Sequence, residues 1–199
     1  MSPQHYDDYL IRPEHERDFD AIYTLVRDAF AAAPVSDGDE QDYVLALRAG
    51  PNYIPELALV AESTQNPGML IGHILFTRTR LLPLPSTAEQ AGTHPDAFAG
   101  ATDSSPLLFL LSPVCVKKEE RGRGIGASLI LEGLKRAGNL GCDAVVLVGD
   151  PAYYRRFGFR PASDFGIVNT TSAIPQQFVQ ICALRQGALD GVRGSLTIV

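Results

Sequence analysis

Three glycines at every second position, Gly122, Gly124 and Gly126, are the residues of this 199-residue chain whose spacing has the clearest chemical use. They lie between an apolar segment that ends at Val116 and a segment with the apolar spacing of a helix. Glycines leave backbone N–H groups uncovered and adopt positive φ at no steric cost, and a following helix adds the positive end of its dipole. The pattern predicts a backbone cradle for a phosphate or diphosphate group.

Two other phosphate-binding patterns come close to this loop and are rejected on spacing. Residues 122–127 satisfy the dinucleotide fingerprint G-x-G-x-x-G/A, but the charged residues 117–121 separate them from the strand, which that fingerprint follows directly. The carboxylate expected about 20 residues further on should end a strand, whereas Asp143 precedes its apolar run. No Gly-Lys-Ser/Thr follows, which excludes a Walker A loop. A dinucleotide-dependent oxidoreductase is therefore the weakest of the functions considered.

A second motif lies downstream, in Tyr154-Arg155-Arg156-Phe157-Gly158-Phe159. Together with Arg121-Gly122-Arg123-Gly124-Ile125-Gly126, it resembles the GNAT superfamily of acetyl-CoA-dependent N-acetyltransferases. Its signatures are Q/R-x-x-G-x-G/A at a helix start and a later Tyr-x-x-x-Gly-Phe. With the run at 111–116, the chain looks closest to the YhbS-like branch of predicted acetyltransferases. Residues 107–161 carry the resemblance.

The resemblance implies a GNAT-type mixed α/β (α+β) fold, with a mostly antiparallel central sheet that splays at the cofactor site and helices on both faces. It implies acetyl-CoA as cosubstrate and no metal. The loop backbone would hold the diphosphate, the pantetheine arm would pair with one strand, and a backbone N–H there would face the thioester oxygen. The predicted cofactor-binding residues are Val114, Cys115, Val116, Arg121, Gly122, Arg123, Gly124, Ile125, Gly126 and Ala127.

Tyr154 is the predicted catalytic residue, because the resemblance places the matching hydroxyl near the cofactor sulfur, where a phenol can protonate the departing thiolate. Its alternative role is to pack the short helix against the sheet. No general base is readable, since residues 107–116 contain no acidic residue and Asp150 is explained as a helix cap. His73, the histidine set in a regular element, is a candidate base whose competing role is a hydrogen-bonded core or surface histidine.

The predicted reaction moves acetyl to a primary amine by direct attack in a ternary complex, rather than through an acetylated Cys115. A non-catalytic CoA- or acyl-CoA-binding regulatory module stays open as the alternative. The acceptor, a small molecule or a protein, is not encoded in any motif. Tyr43 and Tyr53 are candidate lining residues of its pocket, with structural roles equally open.

Composition limits the partners and the location. The formal charge of −6 disfavours nucleic acid as a partner. No apolar run approaches eighteen residues, and residues 1–17 are polar, so we expect neither a membrane span nor a secretory signal, and a cytoplasmic protein. The three cysteines form no C-x-x-C pair, which argues against a zinc site. A homodimer stays open.

The elements that position these residues follow from periodicity, and we expect one domain over residues 1–199. Proline- and glycine-rich residues 82–106 predict a flexible insertion near the acceptor entrance. In the helix after the glycine loop, Leu129, Ile130, Leu134 and Ala137 form the buried stripe. The other predicted helices are residues 16–32, 39–48 and 152–157. The predicted strands are an edge strand at 9–12 and further strands at 57–61, 69–80, 107–116, 143–148, 177–184 and 195–199.

Overall fold

The computed structural model describes residues 3–31, 38–84 and 106–198. The chain divides into two compact units, the first made of residues 1–78 and 109–141 and the second of residues 79–108 and 142–199. The single domain over residues 1–199 stays a prediction. Most of the expected insertion at 82–106 lies outside the described residues.

The sheet of the first unit has the strand order β1-β2-β3-β4-β5. Neighbouring strands from β1 to β4 pair in antiparallel fashion. The strands are β1 (Gln4–His5), β2 (Tyr9–Pro13), β3 (Leu59–Ser63), β4 (Leu70–Thr79) and, from Phe109 onward, β5 (Leu108–Val116).

The prediction that Tyr9–Arg12 forms an edge strand is wrong. The two-residue strand β1 pairs with it, with Gln4 opposite Ile11 and His5 opposite Leu10. A pair of polar residues carries no hydrophobic periodicity, so the sequence gave no sign of this outer strand.

Three helices of the first unit cover both faces of its sheet. They are α1 (Phe19–Phe30), α2 (Glu40–Ala49) and α3 (Ile125–Asn139), at the places predicted. The face towards α1 and α2 holds one apolar cluster of Ile22, Leu25, Val26, Ala29, Val44, Val60, Leu70 and Cys115. On the other face, α3 lies so close that a Cβ on Gly72 would sit 2.9 Å from Leu129.

A β-bulge in β4 explains how Leu70 and Gly72 face opposite sides of the sheet although they are two residues apart. Ala61 pairs with Gly72, but the next residue, Glu62, pairs with Leu70. Ile71 is therefore the extra residue of the bulge, and the side chains on either side of it change faces.

The second unit contains an antiparallel sheet of order β6-β9-β7 and a parallel pair of β10 and β8. Its elements are β6 (Ala144–Val148), α4 (Pro151–Tyr154), β7 (Arg160–Pro161), β8 (Ile167–Asn169), β9 (Val179–Ala183) and β10 (Gly194–Leu196). β8 was not predicted, because a three-residue strand with one buried side chain shows no alternation. The predicted fold class, mixed α/β with a mostly antiparallel sheet, is confirmed.

None of the helices in the described part of the chain is long and apolar enough to cross a lipid bilayer.

Candidate active site

The glycine loop after β5 is open to solvent from residue 121 to residue 124. Gly122 and Gly124 both have a φ of 80°, and a Cβ built on either would meet no atom within 4 Å. The first hydrogen bond of α3 runs from Ser128 N to Gly124 O, so the three preceding amides of the helix have no intrahelical acceptor. The predicted cradle thus has donors at residues 125–127 with no backbone partner among the described residues, and open space above Gly122 and Gly124.

The two arginines of the loop direct their charges to other parts of the protein. Arg121 donates from Nη2 to Ala29 O in the last turn of α1, at 2.7 Å, and from Nε to Val116 O, at 3.3 Å. Arg123 forms an ion pair with Asp8 at 2.6 Å and another with Glu120. Arg121 therefore ties the loop to α1 and β5, and Arg123 is paired with two carboxylates although its side chain is still 44% exposed.

Cys115 lies in the middle of the strand segment that was predicted to bind pantetheine. Its side chain is buried, whereas Val114 and Val116 are half-buried. Burial raises the pKa of the thiol to about 12, although the backbone N–H of His73 and the charge of Arg121 act in the opposite direction. The thiolate is disfavoured at neutral pH, which supports a core role for Cys115 over a nucleophilic one.

A buried polar cluster of Glu14, Arg48, Tyr53 and His73 lies in the same unit. Glu14 Oε1 accepts from Arg48 Nε at 2.7 Å and from the Tyr53 hydroxyl at 2.8 Å, and Glu14 Oε2 lies 3.0 Å from both Arg48 Nη2 and His73 Nε2. Burial would raise the pKa of Glu14, but the hydrogen bonds from His73 and Arg48 outweigh it and lower this pKa to about 2.

Sequence reasoning missed Glu14, because an isolated glutamate after Pro13 carries no pattern. The signals that could have found it are its partners, a histidine inside an apolar strand and an arginine in the last turn of α2. Of the two tyrosines considered as pocket residues, Tyr53 belongs to this cluster and Tyr43 hydrogen-bonds to Ser112 of β5.

Tyr154 closes helix α4 in the second unit. Asp150 caps that helix as predicted, since its Oδ1 accepts from Ala152 N at 2.9 Å. The Tyr154 ring lies edge-on to Phe159, with 5.8 Å between the ring centroids. Burial, and secondarily the Tyr153 phenol, raise the pKa of Tyr154 to about 12. No described residue hydrogen-bonds to the Tyr154 hydroxyl. The packing role is thus observed, and the catalytic role stays a prediction.

Tyr153 is more exposed than Tyr154, although its ring lies edge-on to the Tyr154 ring, with 4.9 Å between the ring centroids. The guanidinium of Arg156 lies 4.0 Å from its ring centroid, which is a surface cation–π contact. Its predicted structural role fits this position.

Metal ligands are not gathered anywhere in the described ranges. No group of three or more His, Cys, Asp or Glu side chains there could hold a metal ion.

Comparison with known proteins shows which proteins this chain is similar to. The acetyltransferase (GNAT) domain matches residues 88–161, a range that contains both the glycine loop and Tyr154. The uncharacterized N-acetyltransferase YjhQ of Escherichia coli strain K12 is 34% identical over 124 residues, which cover 62% of this chain and 57% of YjhQ. Residues 88–161 of this chain are therefore similar to a GNAT acetyltransferase domain.

Two crystal structures extend the GNAT similarity over nearly the whole chain. The GNAT family N-acetyltransferase YhbS from Escherichia coli, in complex with CoA, has a TM-score of 0.76 and 27% identity, covering 98% of this chain and 94% of YhbS. A GNAT family acetyltransferase from Brucella melitensis, in complex with acetyl-CoA, has a TM-score of 0.69 and 28% identity, covering 98% and 97%. These similarities support the YhbS-like branch.

In the sequence comparisons, this chain spans about half the length of the curated relatives that it matches. The share is 57% for YjhQ and 50% for YhbS of the same strain, which is 37% identical over 84 residues that make up 42% of this chain.

Proposed function

We propose that this protein is an N-acetyltransferase that moves the acetyl group of acetyl-CoA to a primary amine. The observation that carries the proposal is the open glycine loop, with amides at residues 125–127 that have no backbone partner among the described residues and unobstructed space above Gly122 and Gly124. An anionic diphosphate is the ligand that such a helix N-terminus favours. The two similar crystal structures, which are complexes with CoA and with acetyl-CoA, support the same ligand.

In the proposed complex, the loop amides hold the diphosphate and the pantetheine arm pairs with the backbone of Val114, Cys115 and Val116. One backbone N–H of this segment faces the thioester oxygen and stabilises the oxyanion, a contribution of about 3 kcal/mol. The amine attacks the thioester directly in a ternary complex. The raised pKa of the Cys115 thiol supports direct attack over an acetyl-cysteine intermediate.

Tyr154 is the proposed general acid for the CoA thiolate. Its raised pKa keeps the phenol protonated at neutral pH, so it can donate a hydrogen bond to the developing thiolate. Because the same burial makes a phenolate costly, we propose a relay in which the attacking nitrogen gives a proton to the phenol as the phenol protonates sulfur. A free hydroxyl without a bond to the described residues supports this role.

The test measures free thiol after the protein is mixed with acetyl-CoA and a panel of primary amines. We expect amine-dependent thiol release. Tyr154→Phe should lower turnover at least about tenfold, or about 1.4 kcal/mol in the barrier, with unchanged acetyl-CoA affinity. Tyr153→Phe is the matched control, since it removes a neighbouring, more exposed hydroxyl. Equal turnover in Tyr154→Phe and the unaltered protein would remove Tyr154 from the mechanism.

A non-catalytic CoA- or acyl-CoA-binding regulatory module is the second candidate. The observation that favours it is the absence of any acidic residue in β5, which leaves the strand without a base for the amine. This candidate predicts that acetyl-CoA binds and that no amine promotes thiol release. A cytoplasmic location stays a prediction, and the acceptor and a homodimer stay open.

A further inference from the structure

Glu14 holds the imidazole of His73 in one orientation. The carboxylate is ionised at neutral pH because its pKa is about 2, and an ionised carboxylate only accepts hydrogen bonds. The His73 Nε2 atom, 3.0 Å away, must therefore carry a hydrogen. In the neutral imidazole, the lone pair is then at Nδ1, on the side of the ring away from Glu14.

The Nδ1 atom of His73 is buried and has no hydrogen-bond partner among the described residues. The whole side chain is 0% exposed. In the same cluster, Nη1 of Arg48 is also buried without a partner in the described chain. Buried polar atoms are almost always hydrogen-bonded, so each of these two nitrogens is suited to contact a small polar group such as a water.

His73 lies beside the strand segment proposed to bind the pantetheine arm. β4 and β5 are neighbours in the sheet, and Lys117 N donates to Ile71 O at 2.9 Å. The thiol of Cys115 accepts a hydrogen bond from the backbone N–H of His73. His73 thus has a titratable ring, a neighbouring carboxylate that orients this ring, and a position next to the strand segment proposed to bind the pantetheine arm.

We propose that His73 is the proton acceptor of the transfer reaction and that Glu14 is its positioning residue. This inference rests on the proposed function and supplies the base that β5 lacks. A carboxylate that orients an imidazole through one ring nitrogen, and leaves the other to accept a proton, is a recurring arrangement in general-base catalysis.

The protons balance over one turnover. An alkylammonium ion loses one proton to Nδ1 through a bridging water, which leaves a neutral amine and an imidazolium next to the Glu14 carboxylate. The amine attacks the thioester carbon, the C–S bond breaks, and the second nitrogen proton goes to the CoA sulfur. The imidazolium then returns its proton to water, so one acetyl group moves and one proton is released.

The charged and titratable groups around His73 belong to several elements. Glu14 follows β2, Arg48 belongs to α2, Tyr53 follows α2, and Cys115 lies on β5, whereas the residue paired with His73 on β3 is the apolar Val60. Arg48 already neutralises Glu14, so a proton on His73 adds one net positive charge to a buried site.

The variant His73→Gln tests the proposal. A glutamine amide can still donate to Glu14, but it has no nitrogen that takes up a proton near neutral pH. We expect kcat/KM for the amine to fall roughly 100-fold and the acid limb of its pH profile to move up to the pKa of the acceptor amine itself, with unchanged acetyl-CoA affinity. Tyr53→Phe is the matched control: it removes a different donor from Glu14 and should leave the acid limb where it is. An acid limb that does not move in His73→Gln overturns the proposal.

A measurement on the unaltered protein tests the proposal even if the His73→Gln variant fails to fold. The chain has four histidines, so the imidazole NMR signal of His73 can be assigned by replacing His5, His15 and His94 one at a time. With CoA bound at neutral pH, we expect the ring nitrogen shifts of His73 to show a hydrogen on Nε2 and a lone pair on Nδ1. A hydrogen on Nδ1 overturns the proposal.

The same experiments separate this inference from the proposed function. If the unaltered protein releases thiol with an amine and His73→Gln does not move the acid limb, the role of His73 fails and the acetyltransferase stands. If acetyl-CoA binds but no amine promotes thiol release by the unaltered protein, the proposed function fails and this inference fails with it.

Discussion

At the scale of single residues, environment gives similar side chains different capacities. The buried Cys115 thiol and the buried Tyr154 phenol both have a pKa raised to about 12, so both stay protonated at neutral pH. A protonated thiol is a poor nucleophile, whereas a phenol must be protonated to donate a proton. Glu14 is also buried, but four hydrogen-bond donors keep it ionised.

The position of the Tyr154 ring depends on Gly149. A Cβ at residue 149 would lie 2.2 Å from Cε2 of that ring, so Gly149→Ala must move the phenol. We expect lower turnover, and no further loss when Gly149→Ala is combined with Tyr154→Phe, because both changes act on one group. Steady-state turnover of the single and double variants measures this. Full additivity of the two losses would mean that Gly149 acts elsewhere.

At the scale of elements, helix α3 combines a ligand-facing end with a tightly packed middle. Its N-terminus carries the amides of the glycine loop, and Arg121 links that loop to the last turn of α1. Further along, Gly133 lets the Phe76 ring of β4 approach the helix backbone. The packing of α3 on β4 therefore fixes the direction in which the loop amides point.

Two glycines of α3 provide a matched test of this packing. A Cβ at Gly133 would lie 2.5 Å from two atoms of the Phe76 ring, whereas a Cβ at Gly138 would meet nothing within 4 Å. We expect Gly133→Ala to lower the free energy of unfolding by about 1–3 kcal/mol through overpacking. Gly138→Ala should leave it unchanged or raise it by up to about 1 kcal/mol, because alanine favours the helix. Urea unfolding compares them; equal effects would contradict the close approach of Phe76.

At the scale of the whole molecule, buried carboxylates couple folding to pH. The pKa of Glu14 is lowered from 4.5 to about 2, and the pKa values of Asp18, Glu62 and Asp143 are lowered as well, each by hydrogen bonds from arginine or backbone groups that outweigh burial. A lowered pKa in the folded state stabilises the protein fully above the unfolded pKa. That contribution is lost as the pH falls towards the folded pKa.

We therefore expect the free energy of unfolding to fall steadily between about pH 5 and pH 2. Glu14→Gln should cost about 3–5 kcal/mol at pH 7, because it leaves Arg48 buried without its carboxylate. It should also make the acid slope shallower without abolishing it, since Asp18 and the other carboxylates remain. Urea unfolding at several pH values measures both effects. An identical slope in the variant would show that Glu14 has no lowered pKa.

Local sequence determined the parts of this fold whose cause is local. Positive φ at Gly122 and Gly124, the Asp150 cap before Pro151, and the apolar stripe of α3 each depend on residues within a few positions of one another. Such features leave a readable spacing in the chain, so the loop, the short helix and the main strands were predicted at the right places. The alternation of β4 was readable too, although its bulge was not.

The tertiary structure alone decided which distant residues meet. Glu14 and His73 are separated by 59 positions, and Arg121 and Ala29 by 92. These contacts follow from strand order and helix packing, which bring side chains together without any periodic trace in the sequence. A glutamate after a proline and a histidine in an apolar strand are therefore ordinary residues when read along the chain, and they become a candidate proton acceptor only where the fold buries them side by side.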